Sequence, residues 1–429
     1  MSLAIHSGDL ANYNYFDPAL LSDPYDFYQR LRAEAPVYKA RHPELDFDIY
    51  LVTTYPLVQE AAGNPALYSS AFAHVLLGGG AVNPEADRII ASAPCEPSLL
   101  LTYDDPVHKR RRLLVSGAFT PRMVAMMADS IAEITDSLVD NFIEKGACDF
   151  LREFAIHLPT YVIADILGLP RTYYDRVAEW SDAIILRVGQ MATKDQEIAA
   201  AHLIVEFRRF ILSMISERRE NPGNDLLSVV MNAESNGEAP LTDMELLGFA
   251  QEVLVAGNET TRNTLVGGIA RLLRHPEQLR LLREDPTLTA NAVDEILRLE
   301  TPASAMWRIA TADTTLGGVR IPQGGVISLR YDSANRDERQ FKNGEDFDIR
   351  RPNARTHLSF STGIHHCMGQ NLARKELTLA LPKILMRLKN LRLVEEKSDL
   401  RYKPNIMIRA LRELFLAFDP GPRSKPRAS

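Results

Sequence analysis

Apolar positions recur at helical spacing along most of the chain. From about residue 106 to residue 300 the pattern is almost entirely helical, with breaks at Pro121, Pro170, Pro222, Pro276 and Pro286. Further helices are predicted over 23–36 and 368–388, whereas the stretches 46–55 and 314–331 alternate or carry glycine turns and predict strands. The pattern therefore predicts a mainly α fold with small β-sheets.

No linker, internal repeat or low-complexity block divides the 429 residues. We therefore expect a single domain over 1–429, with a short N-terminal extension. The last residues, "DPGPRSKPRAS" from about 419 to 429, are rich in proline, glycine and charge, which predicts a disordered tail.

One predicted helix is unusually long and has a polar middle. It begins at Thr242, which forms a capping-box pattern with Glu245, and continues to Arg274. Its middle reads "AGNETT" (256–261), where glycine, amide, carboxylate and hydroxyls interrupt an apolar stretch. This break indicates either a solvated helix face or a helix distorted beside a cavity that holds water or ligand.

Composition narrows the function classes. The net charge is −7, with 49 Lys and Arg against 56 Asp and Glu, which argues against a general nucleic-acid binder. Cys95, Cys148 and Cys367 are far apart and odd in number, which favours a reducing compartment over a disulfide framework. We see no signal peptide and no apolar run of about 18 residues, so we expect a cytoplasmic protein without a membrane span.

The strongest chemical pattern is "FSTGIHHCMG" at 360–369. A zinc site made by His365, His366 and Cys367 is one interpretation, but adjacent residues rarely converge on one tetrahedral ion. A buried structural cysteine beside surface histidines is a second interpretation. The third is haem iron held by the Cys367 thiolate, which the start of the following helix would stabilise.

In the haem interpretation each neighbour of Cys367 has a place. Phe360 would pack near the sulfur, and His365 would point to the ring edge and a propionate, leaving His366 structural or exposed. Gly363 and Gly369 would let the backbone pass close to a flat macrocycle.

Phe360-x-x-Gly363-x-His365-x-Cys367-x-Gly369 resembles the haem signature of the cytochromes P450, with Ser361 where a glycine is usual. The resemblance implies the cytochrome P450 fold, with haem b (iron protoporphyrin IX) between the long central helix and the cysteine-ligand helix. Matching segments occur in the family's order from about residue 23 to residue 418.

Two further sets of matching residues concern the scaffold and the haem propionates. Glu295 and Arg298 of "EILR" would be an ordinary surface pair in isolation, but the resemblance implies a buried structural network with Arg351 of "FDIRR". "DDPVHKRRR" (104–112) would be a solvated basic helix in isolation, but the family match places its side chains on the propionates. The implied propionate ligands are His108, Arg112 and Arg308.

The resemblance also assigns roles in the reaction. Thr260 and the preceding acid Glu259 would deliver protons, while Ala256 and Gly257 would lie against the haem and leave room for O₂. The substrate would contact Val253, Ala256, Ser304, Met306 and Met407, under a loop formed by 70–82. These positions are mostly apolar, which favours a terpenoid, steroid, fatty acid or aromatic molecule.

The implied activity is a monooxygenase that inserts one oxygen atom from O₂ into an apolar small molecule. The chain has no flavin or nicotinamide segment, so electrons would come from an iron–sulfur ferredoxin and its NAD(P)H-dependent reductase. A basic docking face for that partner is predicted at Lys109, Arg110, Arg111 and Arg374. The alternatives are a peroxide-driven peroxygenase and a haem-based sensor or ligand-binding protein.

Overall fold

The computed structural model describes residues 10, 13–41, 48–73, 83–96, 98–188, 193–233 and 237–424. Its described α-helices are α1 (Pro18–Ser22), α2 (Tyr25–Glu34), α3 (Tyr55–Gly63), α4 (Pro84–Ala91), α5 (Val107–Ser116), α6 (Pro121–Met126), α7 (Ala128–Asp140), α8 (His157–Leu167), α9 (Tyr174–Val188), α10 (Lys194–Glu220), α11 (Leu226–Met231), α12 (Asp243–Arg274), α13 (Pro276–Glu284), α14 (Thr289–Glu300), α15 (Tyr331–Ala334) and α16 (Gln370–Arg387). A π-helical turn, Leu151–Ala155, precedes α8. The predicted mainly α fold is confirmed.

The described strands are short and form three small sheets. They are β1 (Val37–Arg41), β2 (Asp48–Val52), β3 (Tyr68–Ser69), β4 (Ala147–Asp149), β5 (Ala305–Ala310), β6 (Thr314–Leu316), β7 (Val319–Ile321), β8 (Val326–Arg330), β9 (Arg392–Leu393) and β10 (Phe415–Ala417). The largest sheet has the order β1-β2-β8-β5-β3, with only β2 and β8 parallel. The predicted small sheets are therefore also confirmed.

The long central helix α12 begins where the sequence predicts. The Thr242 side chain accepts a hydrogen bond from the Glu245 amide, and the Glu245 side chain accepts one from the Thr242 amide, which completes the capping box. The backbone is α-helical from Asp243 to Arg274 without interruption. Of the two alternatives for 256–261, the distorted helix is therefore wrong, and Asn258 and Glu259 each keep one partnered and one unpartnered side-chain atom in the described part of the chain.

A buried ionic network joins α14 to the segment that precedes the cysteine loop. The Glu295 carboxylate accepts hydrogen bonds from Arg298 Nε at 2.7 Å, from Arg351 Nε at 3.0 Å and from the Asp348 amide at 3.1 Å. The side chains of Glu295 and Arg298 are completely buried. The structure thus brings together the three residues that the family resemblance groups, and three donors offset the cost of burying the carboxylate.

The C-terminal residues differ from the sequence expectation. Residues 419–424 were expected to belong to a disordered tail, but the Gly421 amide donates to the Ile143 carbonyl and the Ser424 side chain donates to Asp140 at 2.7 Å. These contacts attach the segment to α7 and to the turn after it, so the prediction is wrong for 419–424. Residues 425–429 lie outside the described part of the chain.

Replacing Glu295 with alanine should lower the free energy of unfolding by about 3–5 kcal/mol, because two buried guanidinium groups lose their counter-charge. Urea denaturation followed by circular dichroism measures the change, and haem content after purification should fall with it. As a control, Glu284→Ala removes an exposed partner of Arg280 and should change stability by less than about 1 kcal/mol. An unfolding free energy for Glu295→Ala equal to that of the control would contradict the prediction.

Candidate haem and oxygen-activation site

The loop before α16 presents Cys367 through a tight backbone turn. The Cys367 amide donates to the Phe360 carbonyl at 2.8 Å, and residues Gly363–His365 between them form a single 3₁₀ turn. Burial raises the pKa of the Cys367 thiol, while the backbone N–H groups of Gly369 and Gln370 oppose that rise by donating to the sulfur. The two backbone donors and the charges of Arg112 and Arg374 therefore favour the thiolate, the form in which a cysteine binds a metal, against the effect of burial.

Two residues of this loop adopt left-handed backbone conformations. Gly363 has φ 73°, and a Cβ there would lie 2.6 Å from the Ala62 carbonyl oxygen, so only glycine fits. Ser361 has φ 58°, which explains why glycine is usual at this position in the family that the loop resembles. The Ser361 hydroxyl shares a 2.7 Å hydrogen bond with the Tyr331 hydroxyl, which helps to hold the turn without glycine.

Four basic side chains converge beside this loop. The rings of His108 and His365 lie 4.3 Å apart, and the Nε2 atom of each is buried without a partner among the described residues. Burial and the nearby charges of Arg308, His108 and Arg112 together lower the pKa of His365 to about 3. Within the described residues, neither Arg112 nor Arg308 forms an ion pair with a carboxylate.

This cluster fits an anionic group. Mutually repelling cations and orphaned imidazole nitrogens are costly unless a ligand supplies negative charge and hydrogen-bond acceptors. The two propionates of a haem supply both. At Gly369 no described atom lies within 4 Å of the position that a Cβ would take, which leaves space beside the cysteine loop. These observations fit the predicted haem site.

The zinc interpretation does not agree with the geometry. The His365 ring packs on His108, whereas His366 Nδ1 lies 3.1 Å from Gln370 Nε2, so the two imidazoles engage different partners. Among the described residues no group of three or more His, Cys, Asp or Glu side chains is arranged to hold a metal ion. His366 instead offers its carbonyl to Arg112 Nη2 at 2.7 Å.

The helix that carries His108 and Arg112 is fixed to the central helix by a second ionic network. Glu245, in the first turn of α12, accepts hydrogen bonds from Arg110 at 2.8 Å and from Arg111 at 2.9 Å. Although burial raises the pKa of Glu245, the arginines and the Thr242 amide outweigh it and lower the pKa to about 2.

This network corrects the predicted docking face. Arg111 is buried and Arg110 is half-buried, because both form ion pairs with Glu245. Arg374 is bound to Asp294 at 2.8 Å, with its guanidinium 4.5 Å from the centre of the Phe360 ring. Only Lys109 of the four predicted residues is exposed. Sequence spacing could not distinguish an exposed arginine from one that pairs with a buried carboxylate.

Two polar residues in the middle of α12, Glu259 and Thr260, carry the chemistry predicted for this helix. Glu259 is 7% exposed and is held by Arg262, and its Oε1 also accepts from Asn263 Nδ2 at 3.3 Å. Glu259 Oε2 is buried without a partner in the described part of the chain. The Thr260 hydroxyl donates to the Ala256 carbonyl at 2.8 Å, which places Thr260 above Ala256 on one helix face.

Gly257 has a different role from the predicted one. A Cβ at this position would lie 2.6 Å from Ile163 Cδ1, so the missing side chain makes room for α8. The prediction that Gly257 leaves space for O₂ is therefore wrong, because Ile163 fills that space. Ala256, by contrast, is exposed to open space on its side of α12.

The segments predicted to contact substrate pair with each other. Ala303 and Ile408 form an antiparallel bridge, and the Ser304 amide donates to the Met407 carbonyl at 2.7 Å. Met306 is half-buried at the start of β5. Val253 is 9% exposed on α12. Residues 74–82 of the predicted covering loop lie outside the described residues.

Sequence reasoning left the role of Glu252 open. The structure shows that its carboxylate accepts hydrogen bonds from the amides of Leu99 and Leu100, the second at 2.9 Å, and thereby ties residues 98–102 to α12. An acidic residue one helical turn before "AGNETT" was the only sequence signal for this contact between residues 98–102 and α12.

Comparisons with known proteins agree with this site. The profile of the Cytochrome P450 family matches residues 69–411. Steroid C26-monooxygenase of Mycobacterium tuberculosis is 35% identical over 395 residues, which cover 92% of this chain and 94% of that protein. The monooxygenase PikC of Streptomyces venezuelae is 35% identical over 396 residues, which cover 92% of this chain and 90% of PikC.

A solved structure confirms the fold as well. Cytochrome P450 CREJ in complex with (4-ethylphenyl) dihydrogen phosphate has a TM-score of 0.86 at 29% identity, covering 96% of this chain and 100% of that one. Fold and relatives together define the class of oxygen-incorporating oxidoreductases that use a haem bound through a cysteine thiolate. The chain belongs to the cytochrome P450 family and is a monooxygenase. None of its described helices is long and apolar enough to cross a membrane.

Replacing Cys367 with histidine should abolish the red-shifted Soret band of the reduced carbon monoxide complex, because that band requires a thiolate ligand. Optical difference spectra of the purified variant provide the measurement. Cys95→Ser and Cys148→Ser are matched controls, since the Cys95 thiol donates to the Glu96 carbonyl and Cys148 lies in β4, so that neither stands at the start of a helix. Loss of the band in either control, with the fold intact, would show that the ligand is misassigned.

Proposed function

We propose that this monooxygenase hydroxylates, or similarly oxidises, an apolar small molecule in the cytoplasm, with electrons from a separate ferredoxin and its NAD(P)H-dependent reductase. The observation that carries the proposal is the buried Glu259–Arg262 pair next to Thr260. A charged pair and a hydroxyl within an otherwise apolar helix are costly, and a controlled supply of protons to the pocket accounts for them.

Cys367 would ligate the haem iron, and His108, Arg112, Arg308 and His365 would bind the propionates. When bound, the haem supplies the activation of O₂. The protein's own contribution is to hold the haem, exclude water and move protons.

A path for those protons can be traced through α9 and α12. Asp182, whose side chain is 61% exposed, lies 3.7 Å from Arg262 Nη1, and Arg262 holds Glu259. Glu259 would take a proton on its unpartnered Oε2 from the exposed Asp182 carboxyl or from water and pass it towards the Thr260 hydroxyl, while Arg262 keeps its own protons and holds the two carboxylates near each other. Thr260 Oγ1 keeps a free acceptor position while it donates to Ala256.

The electron donor would dock on the outer face of α5. There Lys109 is exposed, and Leu113, one turn further along the same face, is 45% exposed. A ferredoxin fits this face because a lysine beside an apolar residue suits a small acidic partner.

Among the apolar substrate classes, we propose a steroid. The first support is the 35% identity with a steroid C26-monooxygenase over nearly the whole of both chains. The second is the apolar character of four of the five residues assigned to the substrate pocket, Val253, Ala256, Met306 and Met407. The extended apolar skeleton of a steroid would bury much hydrophobic surface there.

The test is a reconstitution with haem-loaded protein, a ferredoxin, its reductase, NAD(P)H and a panel of steroids under ¹⁸O₂. We expect the substrate to displace haem-bound water, seen as a shift of the Soret band to the high-spin form, and ¹⁸O to enter the product. Turnover with hydrogen peroxide alone and none with ferredoxin would favour a peroxygenase. Ligand binding with neither kind of turnover would favour a sensor.

Thr260→Ala should separate oxygen consumption from product formation. Alanine favours the helix and leaves Cys367 untouched, so haem and substrate binding should survive. The ratio of product to NAD(P)H oxidised should fall at least about tenfold, with hydrogen peroxide released, because a proton donor is lost.

Thr264→Ala is the matched control. Thr264 lies one turn further along α12 and donates to the Thr260 carbonyl at 2.8 Å, so its removal costs a similar backbone hydrogen bond. The control should keep the wild-type ratio. Equal ratios in wild type and Thr260→Ala would assign Thr260 a purely structural role.

A further inference from the structure

Arg330, at the end of β8, has every guanidinium donor engaged inside the protein. Its Nε and one Nη2 hydrogen contact Asp332, with the Nη2–Oδ2 distance at 2.6 Å, and the other Nη2 hydrogen reaches Ser304 Oγ at 3.3 Å. Its Nη1 donates to the Tyr15 hydroxyl at 2.9 Å and to the Ile406 carbonyl. A guanidinium has five N–H donors, so none remains for a ligand.

The partners of Arg330 come from three distant parts of the chain. Ser304 belongs to the segment before β5, Ile406 directly precedes Met407, and Tyr15 lies before α1. Ser304 and Met407 are two of the residues assigned above to the substrate pocket. Arg330, Asp332 and Tyr15 are each at most 3% exposed, so water does not compete for these hydrogen bonds.

The backbone contacts between the two substrate-facing segments surround the same point. Ala303 pairs with Ile408, Ser304 donates to Met407, and the Asp332 amide donates to the Ser304 carbonyl at 3.2 Å. The guanidinium of Arg330 contacts both segments, because it donates to Ser304 Oγ and to the Ile406 carbonyl. The Ile406 carbonyl is not part of a strand pairing in the described part of the chain. These backbone hydrogen bonds fix the separation of the two segments, and the planar Arg330 guanidinium adds a contact that holds the Ile406 carbonyl.

We propose that Arg330 is a positioning residue that fixes Ile406 beside the paired segments 303–304 and 407–408, and so determines the size of substrate that the enzyme accepts. The inference rests on the proposed function, which places both segments at the substrate pocket. Arg330 acts only through its neighbours, because its donors are saturated.

Lysine cannot replace this fork. Its ammonium group has three donors from one point, so it cannot pair with Asp332 and also reach Ser304, Tyr15 and Ile406. Arg330→Lys keeps the charge next to Asp332 but releases the Ile406 carbonyl and the Tyr15 hydroxyl. Ile406 should then lose its fixed position, while the ionic pair and the backbone contacts of Met407 and Ile408 survive.

The experiment measures how the haem-loaded protein binds azoles of increasing size, read from the shift of the Soret band on nitrogen ligation. The probes are imidazole, 4-phenylimidazole and 1-dodecylimidazole. In Arg330→Lys the dissociation constant of imidazole should stay within about twofold of wild type, since this small ligand does not reach segment 406–408. The affinities of the two larger azoles relative to imidazole should change at least about tenfold, as expected for the loss of hydrogen bonds to a charged group.

Arg32→Lys is the matched control. Arg32 is also a buried arginine, 1% exposed, with contacts to Glu338 and Ser333 but none to segments 303–306 or 406–408. Its substitution should leave the relative affinities of the three azoles unchanged, even if thermal stability falls. The same change in both variants would show a general loss of stability and would overturn the proposal.

Tyr15→Phe makes the test independent of the stability of Arg330→Lys. It removes one acceptor and leaves the charge pair, so we expect a smaller change of relative azole affinity in the same direction. Unchanged relative affinities in the folded variants would overturn the proposal while leaving the proposed function intact. Wild-type protein that gives no azole shift would instead overturn the proposed haem function.

Discussion

The buried carboxylate of Glu295 is the interaction on which the cysteine loop depends. Arg298, paired with it, also donates to the carbonyl of Asn335 at 2.7 Å. Asn335 Nδ2 in turn donates to Ser359 Oγ at 2.9 Å, and Ser359 directly precedes Phe360 at the start of the loop. An unpaired buried charge costs several kcal/mol, so Glu295 and Arg298 cannot separate. The hydrogen bonds from Arg298 through Asn335 to Ser359 therefore hold the backbone before Cys367.

Ion pairs between an acid and an arginine also position other parts of the site. Glu245 holds the helix that carries His108, and Arg330 with Asp332 joins the two segments assigned to the substrate. In each case a buried acid and a buried arginine satisfy each other and then bind backbone groups from distant segments. Directional hydrogen bonds fix these distances more sharply than apolar contacts, which tolerate sliding.

The polar groups assigned to function contrast with this scaffold. Within the described residues, the Nε2 atoms of His108 and His365 and the Oε2 atom of Glu259 are buried and unpartnered. The carboxylates of Glu295 and Glu245 and the guanidinium of Arg330 have all of their hydrogen-bonding positions filled by the protein, whereas these three atoms leave a position for haem or for a proton.

The sequence by itself determined the mainly α fold, the bounds of the central helix and the residues that surround Cys367, because these depend on local periodicity, capping and short-range spacing. It could not decide which way a side chain points across an interface. Gly257 makes room for Ile163, Arg110 and Arg111 turn inward to Glu245, and residues near Ser424 attach to Asp140. Each outcome depends on a partner far away in the chain, and only the tertiary structure brings that partner into contact.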